Sequence, residues 1–273
     1  MLSVSIVKPS FYILKWLIVA VNEAMDVPES HPRFQSLLKR EKIVKGIEVG
    51  LVVPQGLIAQ GRGEAFDYLL GEKTIPPALK AEKVAAAHLV LSSKPVISVN
   101  GNVAALASTE IIRLGKAVPT IIEVNLYYWT EERVRKIITH FRKLGAKGVI
   151  GDKPNARLPG IESKRSRCSL NGIYSADVVF VSLEDGDRTQ ALAAMGKTVL
   201  AVDLNPMSRT ATTATVTIVD ELTRALPNIT RFVRQMKENR SKAARLVKKF
   251  DNDENLQEVH NYLHKRLKKL SGK

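Results

Sequence analysis

Apolar residues follow two different patterns along this chain. Six short stretches are almost continuously apolar, which is typical of strands covered on both faces. Between them, apolar residues recur about every 3.6 positions, which indicates amphipathic helices. The strand-like stretches are 95–100, 120–126, 149–150, 176–183, 198–203 and 215–219, and the helix-like ones are 78–92, 103–114, 130–144 and 190–195.

The alternation of strands and helices predicts an α/β fold, because a parallel strand pair needs a crossover that a helix usually supplies. We expect a Rossmann-like parallel sheet with helices on both faces, plus helical N-terminal and C-terminal segments. The N-terminal helix is predicted over 30–50, where Ser30 is suited to cap it and Pro32 fits its first turn. The C-terminal helices are predicted from about residue 222, with a break at Pro227.

A glycine-rich stretch, 52–63, follows the predicted N-terminal helix. We interpret it as a loop that opens a helix over 64–70. The backbone amides of Gly61 and Gly63, together with Arg62, would then form an anion site at the start of that helix.

The first 24 residues do not fit the pattern of the rest. Their apolar run, Phe11–Val21, is interrupted by Lys15 and is shorter than the roughly 20 residues of a spanning helix. No clean signal-peptide cleavage site follows it. We expect residues 1–24 to be a disordered extension or the product of a spurious start, with the natural start at Met25. Residues 25–273 are then expected to form one domain, and a peripheral membrane anchor is the less favoured alternative.

The net charge of +15 raises the question of a nucleic-acid partner. Residues 231–273 hold 13 Lys and Arg against 5 Asp and Glu, so much of the excess sits at the C-terminus. We interpret this segment as solvated basic helices, because no nucleic-acid-binding motif accompanies the charge and aromatic residues make up only 5% of the chain. The single cysteine, Cys168, is interpreted as a bystander and favours a reducing cytoplasm.

Polar side chains follow four of the predicted strands. In open α/β sheets ligands bind at the carboxyl ends of strands, so we expect these side chains to converge. Carboxylates there could hold Mg²⁺ or a ribose, and Arg209 with nearby hydroxyls could meet a phosphate. The residues point only to a phosphate-handling α/β protein. The strand-end residues are Asn100 and Asn102, Glu123 and Asn125, Glu184, Asp185 and Asp187, and Asp203 and Asn205.

Two other motifs carry little weight. The run Ala191–Thr198 resembles a phosphate-binding P-loop, but it lacks the first glycine and leads from helix into strand, the reverse of a P-loop. His260 and His264 are one helical turn apart without the glutamate of a zinc protease, so a solvated helix face is the favoured interpretation.

Five ordered motifs closely resemble one known family, the archaeal 4-phosphopantoate:β-alanine ligases, also called phosphopantothenate synthetases. The resemblance runs from about Val27 to the C-terminus, and residues 1–24 depart from it. The motifs are 30–33 (SHPR), 54–59 (PQGLIA) with 61–71 (GRGEAFDYLLG), 96–102 (VISVNGN), 184–189 (EDGDRT) and 203–206 (DLNP) with 208–211 (SRTA).

The resemblance implies a homodimeric cytoplasmic enzyme of coenzyme A biosynthesis. It would use ATP and Mg²⁺ to join 4-phosphopantoate to β-alanine, releasing AMP and pyrophosphate, through an acyl-adenylate. No membrane and no nucleic acid would take part. The alternative is a non-catalytic RNA-binding or assembly protein that uses the basic C-terminal helices.

The resemblance also implies residue roles. Residues matched to ATP binding are Arg40, Arg62, Asp203, Leu204, Asn205, Arg209, Thr210, Glu221 and Leu222. Candidates for contact with the other substrates or the metal are Glu64, Asn100, Asn102, Asp185 and Asp187, and no metal ligand is assigned.

Overall fold

The structure is a computed structural model that describes residues 27–272, so the predicted extension 1–24 and the start at Met25 lie outside the described residues. Within residues 27–272, three helices come before the first strand. They are α1 (Phe34–Glu48), α2 (Gln55–Leu70) and α3 (Pro76–Leu91).

Strands and helices then alternate as the apolar pattern predicts. The first group is β1 (Pro95–Val99), α4 (Gly101–Ala117), β2 (Ile121–Val124), α5 (Glu131–Lys143) and β3 (Val149–Ile150). A long connection follows, which contains only the short antiparallel pair β4 (Ala156–Arg157) and β5 (Arg167–Cys168) and two single-turn helices. The second group is β6 (Val178–Ser182), α6 (Gly186–Ala194), β7 (Thr198–Val202), α7 (Arg209–Thr213) and β8 (Val216–Ile218). The chain then forms α8 (Leu222–Met236), α9 (Arg240–Lys248) and α10 (Asn252–Ser271).

All strands of residues 27–272 except β4 and β5 form one parallel sheet, in the order β3-β2-β1-β6-β7-β8. From β1 the chain moves outward to β3, then returns to pair β6 with the other edge of β1, for example at Ile97 and Phe180. The strand order therefore reverses between β1 and β6. This is the topological switch point of a doubly wound sheet, and it confirms the predicted fold class.

The two faces of the sheet are covered by different layers. In β6, Val178 and Phe180 pack with the helices α3, α4, α5 and α8, while Val179 and Val181 pack with α6 and the connection that precedes β6. Both faces are apolar, which explains why the strand sequences are continuously apolar rather than alternating. Within residues 27–272 no helix is both long and apolar enough to span a membrane.

Three local predictions are wrong. The helix α1 begins at Phe34, and Ser30 lies in the preceding turns instead of capping it. Pro227 lies inside α8, whose buried residues Ile229 and Val233 show that packing outweighs the loss of one backbone hydrogen bond. The third concerns the glycine-rich stretch, which belongs mostly to a helix.

The glycines at 56, 61 and 63 all lie within α2. A Cβ atom at Gly56 would collide with the Asn102 side chain, and one at Gly63 would lie 3.4 Å from Leu204 Cδ1. Glycine at 56 therefore allows α2 to approach its neighbours closely. The predicted anion loop at Gly61 and Gly63 does not form.

Candidate functional site

A cleft of about 340 Å³ opens at the carboxyl ends of β6 and β7, next to the switch point. A smaller cavity adjoins it and shares Ala59, Gly63, Leu183 and Leu204 with it. Leu183, which follows β6, has a positive φ of 53°. Such a conformation is costly for a leucine and is often kept at functional sites.

The structure gathers most of the residues that the resemblance matched to ATP. Arg62, Asp203, Leu204, Asn205, Arg209 and Thr210 line the cleft. Leu204, Glu221 and Leu222 line the smaller cavity. Arg40 contacts Glu64, a residue of that same cavity.

The turn after β7 is held by its own side chains. Asp203 accepts hydrogen bonds from the backbone amide of Asn205 (2.9 Å) and from the Ser208 hydroxyl (2.5 Å). Ser208 also caps α7 by accepting from the Ala211 amide (2.9 Å). Burial raises the pKa of Asp203, although these hydrogen bonds and the charge of Arg62 oppose it. The turn is therefore rigid before any ligand binds.

Two arginines from different helices bring positive charge to the cleft. Arg62 comes from α2 and Arg209 from the first turn of α7, and both are exposed. Neither forms a salt bridge within residues 27–272. Gly186 lets the turn after β6 approach the turn after β7, since a Cβ atom at Gly186 would lie 2.5 Å from Arg209 Cβ. The cleft is suited to an anionic ligand.

Arg40 is already engaged with the protein. Its guanidinium donates two hydrogen bonds to the buried carboxylate of Glu64, both 2.7 Å, and Arg33 lies 3.5 Å from the same carboxylate. Burial raises the pKa of Glu64, but hydrogen bonds from Arg40 and Tyr68 outweigh it and hold the pKa below its usual range. Arg33 precedes α1 and Arg40 lies within it, and both contact the same carboxylate of this chain.

The floor of the smaller cavity is an ion-pair network. Glu221 caps α8 and pairs with Lys39 at 3.2 Å. Arg224 donates a hydrogen bond to Asp220, and two of its nitrogens donate to the two carboxylate oxygens of Asp67 of α2. Lys39 could not be predicted as a residue of this cavity from the sequence, because its partner Glu221 lies 182 positions further along the chain.

The turn after β6 contains a second buried network. Glu184, whose side chain is 3% exposed, accepts hydrogen bonds from both Arg165 and Arg188. Arg165 also donates to Asp185 Oδ2 (3.0 Å) and to the Asn125 carbonyl (2.9 Å). Burial raises the pKa of Glu184, but the charges of Arg165 and Arg188 outweigh it and hold the pKa below its usual range. Arg165 thereby joins the ends of β2 and β6.

The connection that carries Arg165 is held by polar residues at the carboxyl end of β2. Glu123 accepts from the amides of Ser169 and Ile173, both at 2.7 Å, and Asn125 donates to the Arg167 carbonyl (2.7 Å). Burial raises the pKa of Glu123. These strand-end side chains bind the protein itself. We refer to Glu123, Asn125, Arg165, Glu184 and Arg188 as the buried polar cluster.

The remaining candidates differ in their surroundings. Asn100 caps α4 through the Val103 amide (3.1 Å) and donates to the Ser182 carbonyl (3.0 Å), which ties β1 to β6. Asn102 donates to the Gly56 carbonyl (2.9 Å) and fixes α2. Asp187 is exposed on the first turn of α6 and is not among the residues lining the cleft.

The described part of the chain contains no preassembled metal cluster, and its cysteine is buried. Residues 27–272 contain no group of three or more His, Cys, Asp or Glu side chains arranged to hold a metal ion. Cys168 is buried, and burial raises the pKa of its thiol to about 11. This agrees with the interpretation of Cys168 as a bystander, because the thiolate is the reactive form.

The fold and the cleft define a doubly wound α/β protein with a cation-lined ligand cleft beside its switch point. The family model described as phosphopantothenate/pantothenate synthetase matches residues 77–266. The chain belongs to this family, which confirms the predicted resemblance.

Named relatives cover almost the whole chain. A 4-phosphopantoate–beta-alanine ligase from Thermococcus onnurineus is 49% identical over 247 residues, 90% of this chain and 95% of that protein. The ligase of the same name from Thermococcus kodakarensis is 49% identical over 249 residues, again 90% of this chain and 95% of that protein. That from Methanosarcina mazei is 48% identical over 248 residues, 90% of this chain and 98% of that protein.

Proposed function

We propose that this chain is a ligase that uses ATP to join 4-phosphopantoate to β-alanine, forming 4′-phosphopantothenate and releasing AMP and pyrophosphate. The observation that carries the proposal is a pair of arginines without ion-pair partners, facing one cleft, in a chain 49% identical to a protein named for this reaction. An acyl-adenylate intermediate would make the substrate carboxylate reactive toward an amine. Residues 25–273 would act as a single ligase domain.

ATP would occupy the cleft, with Arg62 and Arg209 neutralising its phosphates. The preformed turn from Asp203 to Ser208 would hold the rest of the nucleotide, and Glu221 and Leu222 would border it. Arg40 would act through Glu64 or exchange that partner for the nucleotide. Mg²⁺ would arrive bound to the ATP phosphates, since the described chain offers no preformed metal centre.

The same proposal includes a homodimer in the cytoplasm. Leu57, Ile58 and Leu69 of α2 are exposed apolar residues, with Ile58 72% exposed, and they would suit a subunit contact. Light scattering after gel filtration measures the mass in solution, and a monomer would contradict this part.

The activity is tested by incubating the protein with ATP, Mg²⁺, 4-phosphopantoate and β-alanine. We expect AMP and 4′-phosphopantothenate in equal amounts. Replacing 4-phosphopantoate by pantoate tests the need for the phosphate. Absence of AMP-coupled product with all four components would refute the proposed function.

A further inference from the structure

Seven carboxylates line the cleft and the smaller cavity, and one differs from the others. The side chains of Glu64, Asp67, Glu184, Asp220 and Glu221 are at most 8% exposed, and all five are in salt bridges. Asp203 has both oxygens engaged by its own turn. Asp185 is 44% exposed.

Asp185 is held by one oxygen only. Its Oδ2 accepts from Arg165 Nε at 3.0 Å, while its Oδ1 makes no hydrogen bond within residues 27–272. Asp185 occupies the N-cap position of α6, yet its side chain does not cap the helix. Aspartate at this position usually does so. The bond to Arg165 therefore turns the carboxylate away from its helix.

Arg165 is itself immobile. Its side chain is 4% exposed, and its other nitrogens donate to Asn125 and Glu184. The orientation of Asp185 is thus set by a guanidinium that the buried polar cluster fixes. One carboxylate oxygen is left for a ligand in the cleft.

We propose that Asp185 binds the amine of the amino-acid substrate and that Arg165 is its positioning residue. The inference rests on the proposed function. Asp185 lies three residues after β6 and lines the cleft in which the acyl-adenylate would form. The bound ammonium would lose a proton to solvent before its nitrogen attacks the acyl carbon and AMP leaves. An ammonium group is well matched by one carboxylate oxygen together with neutral acceptors. The competing role is that of a magnesium ligand, since Mg²⁺ takes only one or two protein carboxylates beside waters and substrate phosphates. Loss of a magnesium ligand would impair adenylate formation, whereas loss of an amine-binding group leaves that step intact.

The test compares the two half-reactions in Asp185→Asn. Adenylate formation is measured as pyrophosphate exchange into ATP that depends on 4-phosphopantoate, without β-alanine. We expect this exchange to be retained. The KM for β-alanine should rise by about 10- to 100-fold, because a charge-assisted hydrogen bond is lost. Hydroxylamine, which is uncharged at pH 7, should still trap the adenylate as a hydroxamate.

Three further variants separate positioning from folding. Arg165→Lys keeps the charge without the planar fork, so it should raise the KM for β-alanine while leaving exchange intact. Asp185→Ser repeats the test with a smaller side chain should the asparagine variant fold poorly, as judged by its thermal unfolding. Glu132→Gln removes a carboxylate that is 78% exposed on α5 and should change neither quantity.

Two outcomes would overturn the inference while leaving the proposed function in place. In the first, the KM for β-alanine is unchanged in both Asp185 variants. In the second, exchange is lost and is restored by excess Mg²⁺, which would make Asp185 a metal ligand. If the unaltered protein shows neither exchange nor product, the proposed function fails and this inference fails with it.

Discussion

Glu184 and Asp185 are consecutive residues at the carboxyl end of β6, yet their environments are opposite. Glu184 is buried between Arg165 and Arg188, and both of its oxygens are engaged. Asp185 is half-exposed and has an oxygen without a partner in the described chain. The same contrast holds more widely between the buried polar cluster and the cleft.

The buried polar cluster neutralises its charges internally, whereas the cleft does not. Arg62 and Arg209 carry charges for which the described chain supplies no ion-pair partner. Charges left without partners at a concave site are available to a ligand, while those paired in the interior serve the fold. Substitutions of Glu184 and Arg188 should therefore change stability, and substitutions of Arg62 and Arg209 should change activity.

The largest effect is expected from Glu184→Ala. Removing this carboxylate leaves the buried Arg188 without its ion-pair partner and Arg165 with Asp185 alone, and breaking a buried ion pair typically costs about 3–5 kcal/mol. Urea unfolding at pH 7 measures the loss. A cost below about 1 kcal/mol would contradict the assignment of Glu184 to the fold, since that is the range of an exposed ion pair.

The pH dependence provides a second readout for the same variant. Arg165 and Arg188 hold the pKa of Glu184 below its usual range against the effect of burial, so its ionised form favours the folded state. Its contribution is present above the ordinary carboxyl pKa and is lost as the pH falls through the lowered value. The variant should lack this part of the acid sensitivity.

Glu82→Gln sharpens the comparison with a buried carboxylate that lacks such cations. Glu82 lies in α3 with no exposed surface, and burial together with the nearby Asp220 raises its pKa to about 9. The protonated form is favoured in the folded state, so the unaltered protein loses stability as the pH rises from the unfolded value toward 9. Glutamine cannot ionise, and we expect the variant to be more stable by at most about 3 kcal/mol at pH 7.

Urea unfolding at pH 4.5, 7 and 8.5 measures this difference. The gain should be near zero at the lowest pH and should grow with each step. A gain that does not depend on pH would mean that Glu82 is ionised in the folded protein. Glu82 would then carry a charge although it is buried, as Glu184 does.

The apolar pattern was sufficient to predict the sheet and its class. Each of the six strands of the parallel sheet lies within one of the predicted apolar stretches, because strands covered on both faces leave a strong local signal, whereas the short pair β4 and β5 in the long connection was not predicted. The glycine-rich stretch was misinterpreted because glycine serves both turns and close helix packing. The contact that decides between them at Gly56 is with Asn102, a residue 46 positions away.

The roles of the strand-end residues could not be predicted locally for the same reason. Glu123, Glu184 and Asp185 all lie at or after the ends of apolar strands. The residues next to them in the sequence do not indicate which side chain is buried and which faces the cleft. Their roles depend on Arg165 and on the amides of Ser169 and Ile173, which come from the long connection before β6. Sequence reasoning placed these residues at one edge of the sheet, and only the packing divides them between fold and cleft.

The smallest effect in free energy is expected from Arg209→Ala, and it tests the cleft side of the comparison. Arg209 is exposed and makes no salt bridge in the described chain, so the free energy of unfolding should change by less than about 0.5 kcal/mol. The Kd for ATP should rise by about 10- to 100-fold, since one charge-assisted contact to phosphate is removed. Arg135→Ala is the matched control, because that arginine is 64% exposed and its salt bridge within residues 27–272 is to Glu131 on the surface of α5. Isothermal titration with ATP and urea unfolding give the two quantities independently. If Arg209→Ala loses stability and keeps its affinity for ATP, Arg209 stabilises the fold as Glu184 does. The absence of an ion-pair partner would then not identify the residues that bind the ligand.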